Sequence, residues 1–543
     1  MLFRSRLCCI VWSVILATVS SLAWTPSHAA PIREVSLGSD AEQAVRQGTR
    51  FEKTRKWPEA IEHYEAALKA WPKDEHLTLG LRRSKIHFNV ERRYSDSSFL
   101  RSLTTLTRSE AIGLFDETYA KVSNQYVEPV NVTDYVAHGT ESLYFALDDE
   151  RFLQQNLRNV SRERIANLRQ RLHKEHWNRP VSNASQRLNE LCDLAASETA
   201  LSAGAVVMEY VFGGCNALDD YSAFLTPSRL SDLYGNIEGQ FVGLGIEMKA
   251  IPDRGLLLVN VLPESPASEG GLLAGEHIVG IDGTNCRNMT TDEAAGMLQG
   301  LEGTRITLEM SDARGKTRRT EFTRRAVIVK SIPVVKMIDE AHGIGYIQMT
   351  GFQKSSPQEL DAALQQLRKQ GMQSLVWDLR GNPGGLLTSA VEVLDRFIAD
   401  GVLVSTRGRT PDQNMSYSAY RTGTWNVPLV LLVDGDSASA SEIVAGAIRD
   451  HHRGTIVGRK TYGKWSVQSI FPVRGEAGLR LTTAKFYSPS GQTLGKIGVR
   501  PDINVPEPDE PRHFHRSSTD VDVASDADLQ KALDVLLQKT AQR

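Results

Sequence analysis

Three short stretches of the chain carry residue types that could open an acyl bond. The first, Asp434-Gly435-Asp436-Ser437-Ala438-Ser439-Ala440-Ser441-Glu442-Ile443, joins an apolar run to an amphipathic one. A serine at such a strand-to-helix junction has its hydroxyl at a helix N-terminus, and the next N–H, that of Ala440, points toward a developing oxyanion. The same serines and small alanines would also serve as plain helix caps. The second stretch is Thr461-Tyr462-Gly463-Lys464-Trp465-Ser466-Val467-Gln468. A serine nucleophile needs a base, and a lysine becomes one when desolvation drives it toward the neutral form. Left in solvent, Lys464 would be an ordinary loop cation; Gln468 could hydrogen-bond its amine and aim it. The third stretch is Asp378-Leu379-Arg380-Gly381-Asn382-Pro383-Gly384-Gly385. Two adjacent glycines let backbone approach a substrate and could supply a second oxyanion N–H, although alone the stretch reads as a Gly-Pro turn. His451 and His452 follow the helix that starts at Ser439, about 18 Å away at helical rise, and are poorly placed as its base.

These stretches need a scaffold, and the pattern around them supplies one. After Val327 the apolar runs alternate strand and helix. Gly345–Met349, Ser374–Leu379 and Val427–Val433 read as buried strands, with helices over Pro357–Gln370, Leu387–Phe397 and Ala440–Asp450. That rhythm predicts an α/β core. Before it, from Gln240, come short strands with turns (Gly243–Met248, Leu256–Val261, His277–Ile281, Ile306–Met310) and a single helix from Thr291 to Leu301, which a Thr290/Glu293 capping box opens. With 543 residues, three or more units are expected. The 41% apolar and 24% charged fractions suit a soluble globular protein, and the net charge of −2 argues against nucleic acid or a polybasic membrane surface.

The N-terminal half predicts mostly helix. Arg4 and Arg6 precede an apolar run to about Trp24, then Ser27-His28-Ala29, the layout of a cleaved secretory signal, the alternative being an uncleaved membrane anchor that leaves the protein membrane-associated. Residues 41–74 match one 34-residue tetratricopeptide-type repeat at Gly48, Phe51, Ala60, Tyr64, Ala67 and Pro72. A single repeat cannot bury its own face, so it must lean on the helix around Leu77–Val90, on the rest of the chain or on another molecule. Gln154–Lys174 is polar and Arg-rich, a solvated helix face, and His173 with His176 lacks a third metal ligand. Beyond the signal, Cys192, Cys215 and Cys286 form an odd, sparse set, read as structural.

Two resemblances follow from these stretches. Gly243-Leu244-Gly245-Ile246, followed by Ser265-Pro266-Ala267, Gly271-Leu272, Gly275-Glu276-His277-Ile278 and Ile281-Asp282-Gly283, resembles a PDZ domain. In such a domain backbone N–H groups hold a carboxylate while a strand edge pairs with an extended peptide. From about Phe115 to Val505 the chain resembles the C-terminal processing, or tail-specific, proteases. The matching pieces are Leu218-Asp219-Asp220-Tyr221-Ser222, the PDZ run, Gly345-Tyr346-Ile347 with Phe352, Asp378–Gly385, Ser437–Ile443, Gly463-Lys464, Tyr487-Ser488-Pro489-Ser490-Gly491 and Gly498–Ile503. The resemblance implies Ser439 as nucleophile, with Ser437 and Ser441 as weaker candidates, and Lys464, 25 residues on, as base. It further implies Gln468 as the residue orienting the lysine, and backbone oxyanion donors at Ala440 and Gly385, with Gly384 as neighbour. Asp450 matches an aspartate of structural role. Where the family usually has glycine, this chain has Trp465, which would narrow the site, bury the lysine further or block it.

The expected organisation is multidomain α/β + β: signal 1–30, helical tetratricopeptide-like region 31–95, helical N-terminal part of the protease with an insertion 96–237, PDZ domain 238–326, protease core 327–506, polar tail and short helix 507–543. The expected activity is that of an exported serine endopeptidase, periplasmic or in another exported space. It would use a Ser-Lys dyad on unfolded or protruding protein C-termini, without metal or nucleotide, and keep no membrane span once the signal is cut. The helical repeat would serve an adaptor or self-association. The competing reading is a catalytically silent PDZ and helical-repeat scaffold.

Overall fold

The computed structural model of the chain describes residues 41–177, 179–312, 315–507 and 521–541. The expected signal and residues 508–520 of the expected polar tail lie outside the described residues. Contacts divide the chain into two compact units, one ending at Lys85 and one starting at Ile86.

In the first unit the helices Ala41–Lys53 and Trp57–Ala70 form a hairpin around Tyr64, which is fully buried. Gly48 and Gly80 flank the tyrosine so tightly that a Cβ on either would run into its ring. Leu77, from the next helix, closes the small core with Ala44, Ala60 and Ala67.

The second unit begins with a helical layer. Arg108–Gln125, Val132–Ala146, Ala184–Thr199 and Ala203–Cys215 surround one apolar core. Ala203–Cys215 is buried along nearly its whole length, and its Glu209 is paired inside with Arg93 at 2.6 Å. All three described cysteines are buried and free, and burial pushes the Cys192 and Cys215 thiols up to about 11. His173 packs between the rings of Tyr144 and Trp177.

A β-domain follows, with strand order Ile246–Ile251, Gly255–Val261, His277–Ile281, Arg305–Ser311, Thr317–Thr323. The expected continuous strand Gly243–Met248 is broken: Gln240–Gly243 pairs with Arg325–Ile328, and Ile246 starts a separate strand. Gly245 makes the break, with φ +78 and no room for a Cβ beside Ser265. The expected helix to Leu301 ends at Leu298, since Gln299 turns extended.

The α/β core is a six-stranded sheet in the order Val334–Asp339, Ile344–Gln348, Ser374–Asp378, Leu429–Val433, Thr455–Gly458, Ile503–Asn504. Its first pair is antiparallel and the remaining pairs are parallel. The central strands are buried on both faces, which is why they read as unbroken apolar runs. Ser356–Lys369, Leu387–Leu394 and Ala440–Asp450 cover one face. The C-terminal helix Ala527–Ala541 covers the other through Leu529, Ala532, Val535 and Leu536. A second sheet joins Ala223–Leu225, Ala477–Tyr487, Val402–Gly408 and Ser416–Ser418, with Ser466–Val473 pairing along Ala477–Tyr487 as a hairpin.

Candidate active site

The three chemistry-bearing stretches are the loops that leave the C-terminal ends of three neighbouring parallel strands: Ser374–Asp378, Leu429–Val433 and Thr455–Gly458. Open α/β sheets place their sites at this end. Topology therefore brings together residues that lie far apart in sequence.

Ser439 stands at the mouth of the helix Ala440–Asp450 with φ 56 and ψ −111, a strained conformation for a residue with a side chain. The three serines of the run separate by burial and partner. The Ser437 hydroxyl donates to the Leu379 carbonyl at 2.8 Å, and that of Ser441 to the Asn382 carbonyl at 2.9 Å; both residues are fully buried. They stitch the serine loop to the glycine loop, and of the three only Ser439 reaches the surface.

The glycine loop comes up against the nucleophile candidate. A Cβ on Gly384 (φ +103) would lie 2.8 Å from the Ser439 Cβ and 2.9 Å from the Ala440 nitrogen. Gly385 has φ +148, and the Phe352 backbone fills the space where its Cβ would be. The Gly384 N–H donates to Asn382 Oδ1 at 2.9 Å. Among the described residues the Gly384 N–H thus has an acceptor, while the Gly385 N–H has none. The loop is fastened from behind: Asn382 Nδ2 donates to the Met349 carbonyl, the Ala438 N–H to the Asn382 carbonyl, and the Gly381 N–H to Asp434.

Glu442 ties the serine to the lysine loop. This fully buried carboxylate accepts the Ser439 N–H (2.9 Å) and the Lys464 N–H (2.8 Å) on one oxygen. On its other oxygen it accepts the Gly463 N–H (2.7 Å) and the Thr461 hydroxyl (2.6 Å). The Tyr462 N–H adds a bond to the Ser437 carbonyl at 3.1 Å. In the sequence Glu442 stands only as one residue of the serine run; its partners in the lysine loop lie 19 to 22 residues onward.

The Lys464 amine lies 4.5 Å from the centre of the Tyr221 ring. Burial, then the nearby Arg480 guanidinium, holds its pKa below the ordinary 10.5; Asp219 and Glu442 oppose the shift. Gln468 donates its amide nitrogen to Ser466 Oγ (2.9 Å) and Thr482 Oγ1 (3.2 Å), which leaves its oxygen as the atom able to accept from a lysine. Asp450 accepts the Ser490 N–H at 3.0 Å and pairs with Arg449. His451 caps the far end of the helix and binds the Val402 carbonyl.

The Trp465 indole faces inward, away from solvent. It is buried in the core, tilted against Phe486 at 4.8 Å and facing Gly446 of the helix Ala440–Asp450, where a Cβ would meet the indole at 3.1 Å. Its side chain turns inward while that of its neighbour Lys464 meets Tyr221.

In the β-domain, Leu244 is buried and its carbonyl accepts from Ala267; the Gly245 carbonyl accepts from Leu262. Gly243 closes the pairing with Arg325. Ile246 opens the strand Ile246–Ile251, which is an edge of its sheet. The helix Thr291–Leu298 meets this strand, its Thr291 hydroxyl accepting the Ala250 N–H at 3.1 Å.

Residues 343–505 match the model of peptidase family S41, and residues 258–310 match a PDZ domain. The chain is 38% identical over 299 residues to a carboxy-terminal-processing protease of Bartonella bacilliformis, covering 54% of this chain and 68% of that protein. It is 36% identical over 326 residues to a carboxyl-terminal-processing protease of Picosynechococcus sp., covering 60% and 77%. With its counterpart from Synechocystis sp. the figures are 33% over 322 residues, covering 59% and 74%.

Proposed function

The chain belongs to peptidase family S41, the carboxyl-terminal-processing serine peptidases, and from that premise we propose that Ser439 and Lys464 are its catalytic dyad and that its PDZ domain selects protein C-termini. In this reading the Ser439 hydroxyl attacks the scissile carbonyl while the neutral Lys464 amine removes its proton. The oxyanion collects the N–H groups of Ala440 and Gly385; one such donor contributes about 10²–10³-fold in rate. Lys464 then hands its proton to the leaving amine, and water releases the acyl group by the same steps in reverse.

The observation that carries the reading is the Glu442 carboxylate, which joins the backbone of serine and lysine on one oxygen. The lowered Lys464 pKa agrees with a base, and the freed Gly385 N–H agrees with an oxyanion donor. The edge strand Ile246–Ile251, with the Gly243–Ile246 turn at its start, is suited to take an extended tail as an added strand whose terminal carboxylate meets the turn. Export to the periplasm or a like compartment belongs to this reading, since unfolded or protruding tails would be met there. Among the described residues no helix is long and apolar enough to cross a membrane.

The test is cleavage of an unfolded protein ending in apolar residues, alongside Ser439→Ala and Lys464→Ala. Wild-type protein should cut it and both variants should not. Equal cleavage by all three would remove the dyad.

A further inference from the structure

The described C-terminal segment does more than cover a face of the core sheet. Arg380, just before the glycine loop, is buried and held by three carboxylates. Asp378, two residues back, meets it at 2.6 Å. The other two come from the start of the C-terminal helix. Asp526 takes both terminal nitrogens of Arg380, at 3.0 and 2.9 Å, and Asp528 takes one at 2.8 Å. Asp528 also receives Arg459 with both of its oxygens, at 2.9 and 2.8 Å. Arg459 follows the strand Thr455–Gly458 and begins the loop that carries Lys464. The two aspartates thus grip the roots of the glycine loop and of the lysine loop at once. Asp526 in turn organises its own helix, since its Oδ1 accepts the N–H of Asp528 (3.0 Å) and of Leu529 (3.1 Å).

We propose that Asp526 and Asp528 are positioning residues of the active site, setting through Arg380 and Arg459 the height of the Gly384–Gly385 turn and of the lysine loop relative to Ser439. The inference rests on the serine-peptidase reading above. Planar guanidinium groups gripped bidentately leave little freedom of angle or reach. Rigid support matters here because Gly384 lies in contact with the Ser439–Ala440 backbone, so that a small rise or fall of the turn moves the oxyanion donor directly.

Three substitutions test this. Asp526→Ser keeps an oxygen for the helix cap and removes the carboxylate. Asp528→Asn keeps the shape and removes the charge. Leu529→Ala removes apolar packing from the same helix and no charge. Each is assayed for kcat and KM on a tail-bearing substrate, at a temperature where its melting curve shows it folded. Both aspartate variants should lose roughly tenfold or more in kcat, on the scale set by small misplacements of catalytic groups, with KM near the wild-type value. Leu529→Ala should melt earlier and keep its kcat. Wild-type kcat in the folded aspartate variants overturns the proposal, as does a loss by Leu529→Ala in step with theirs. Should Asp528→Asn not fold, Asp526→Ser, which keeps the cap, decides alone. Wild-type protein that cuts no tail, or Ser439→Ala that cuts as wild type does, removes the serine-peptidase reading and this inference with it.

Discussion

Replacing Glu442 by glutamine changes one oxygen to a nitrogen where four donors converge. An amide can face those donors in two ways. If its nitrogen replaces the oxygen shared by Ser439 and Lys464, two part-buried N–H groups lose their acceptor. If it replaces the oxygen shared by Gly463 and Thr461, only the Gly463 N–H is stranded, because the threonine hydroxyl can turn. Thr461 Oγ1 already accepts the Val499 N–H, so that turn costs something as well. The second orientation is the cheaper, and a single stranded buried donor costs about 1–3 kcal/mol. Glu442→Gln should therefore fold, with stability lowered by about that amount. The retained oxygen keeps the serine and lysine nitrogens in place, while Gly463, one residue before the proposed base, is released. Catalysis should fall by up to about 10²-fold, the effect of a misplacement near 1 Å, mainly in kcat. Glu442→Ala strands all four donors and should lose more on both counts. The assay is tail cleavage at several substrate concentrations beside a denaturant titration. Wild-type kcat in a folded Glu442→Gln protein would refute the reasoning.

Further outcomes follow from the same geometry. Gly385→Ala forces a side chain into φ +148 and the Phe352 backbone; the cost is at least about 1–3 kcal/mol, and a displaced oxyanion donor should cost about 10²–10³-fold in kcat, read in the same assay. As the proposed base, Lys464 would act only when neutral, so kcat/KM should rise with pH through a lysine pKa below 10.5. Arg480 helps depress that pKa, so Arg480→Gln should raise it and move the acid limb of the pH profile to higher pH. Trp465→Ala empties a core site and should lower stability by about 3–5 kcal/mol in a thermal melt, while the folded enzyme keeps its turnover.

The serine and glycine loops were legible as strand-to-helix junctions from local pattern, but as parts of one site only through the family order, since alone each reads as a cap or a turn. The lysine loop was legible through its pairing with the serine run in the family order. What escaped was non-local. Glu442 looks like an ordinary first-turn acid until its donors from the lysine loop are seen. Asp526 and Asp528 fall in what reads as a polar tail and the start of its short helix, and their partner Arg380 lies 146 and 148 residues earlier. The hairpin of Ser466–Val473 and Ala477–Tyr487 was missed because its second strand is buried nearly throughout and lacks the alternation that marks a half-exposed strand. Trp465 could not be placed because its pocket depends on Gly446 in another element.

The bond between Thr291 and the Ala250 N–H has a bearing on how much of a tail the proposed PDZ site can read. A strand added at this edge finds the alternate main-chain groups of Ile246 to Lys249 that face away from Gly255–Val261, and at Ala250 meets a donor already occupied by the neighbouring helix. The bond acts as a ruler. Residues upstream of a substrate's final few would pass the helix without main-chain pairing, so discrimination among tails should fade sharply beyond that point. Thr291→Val would lift the stop, and selectivity across a library of tails should then extend further from the terminus.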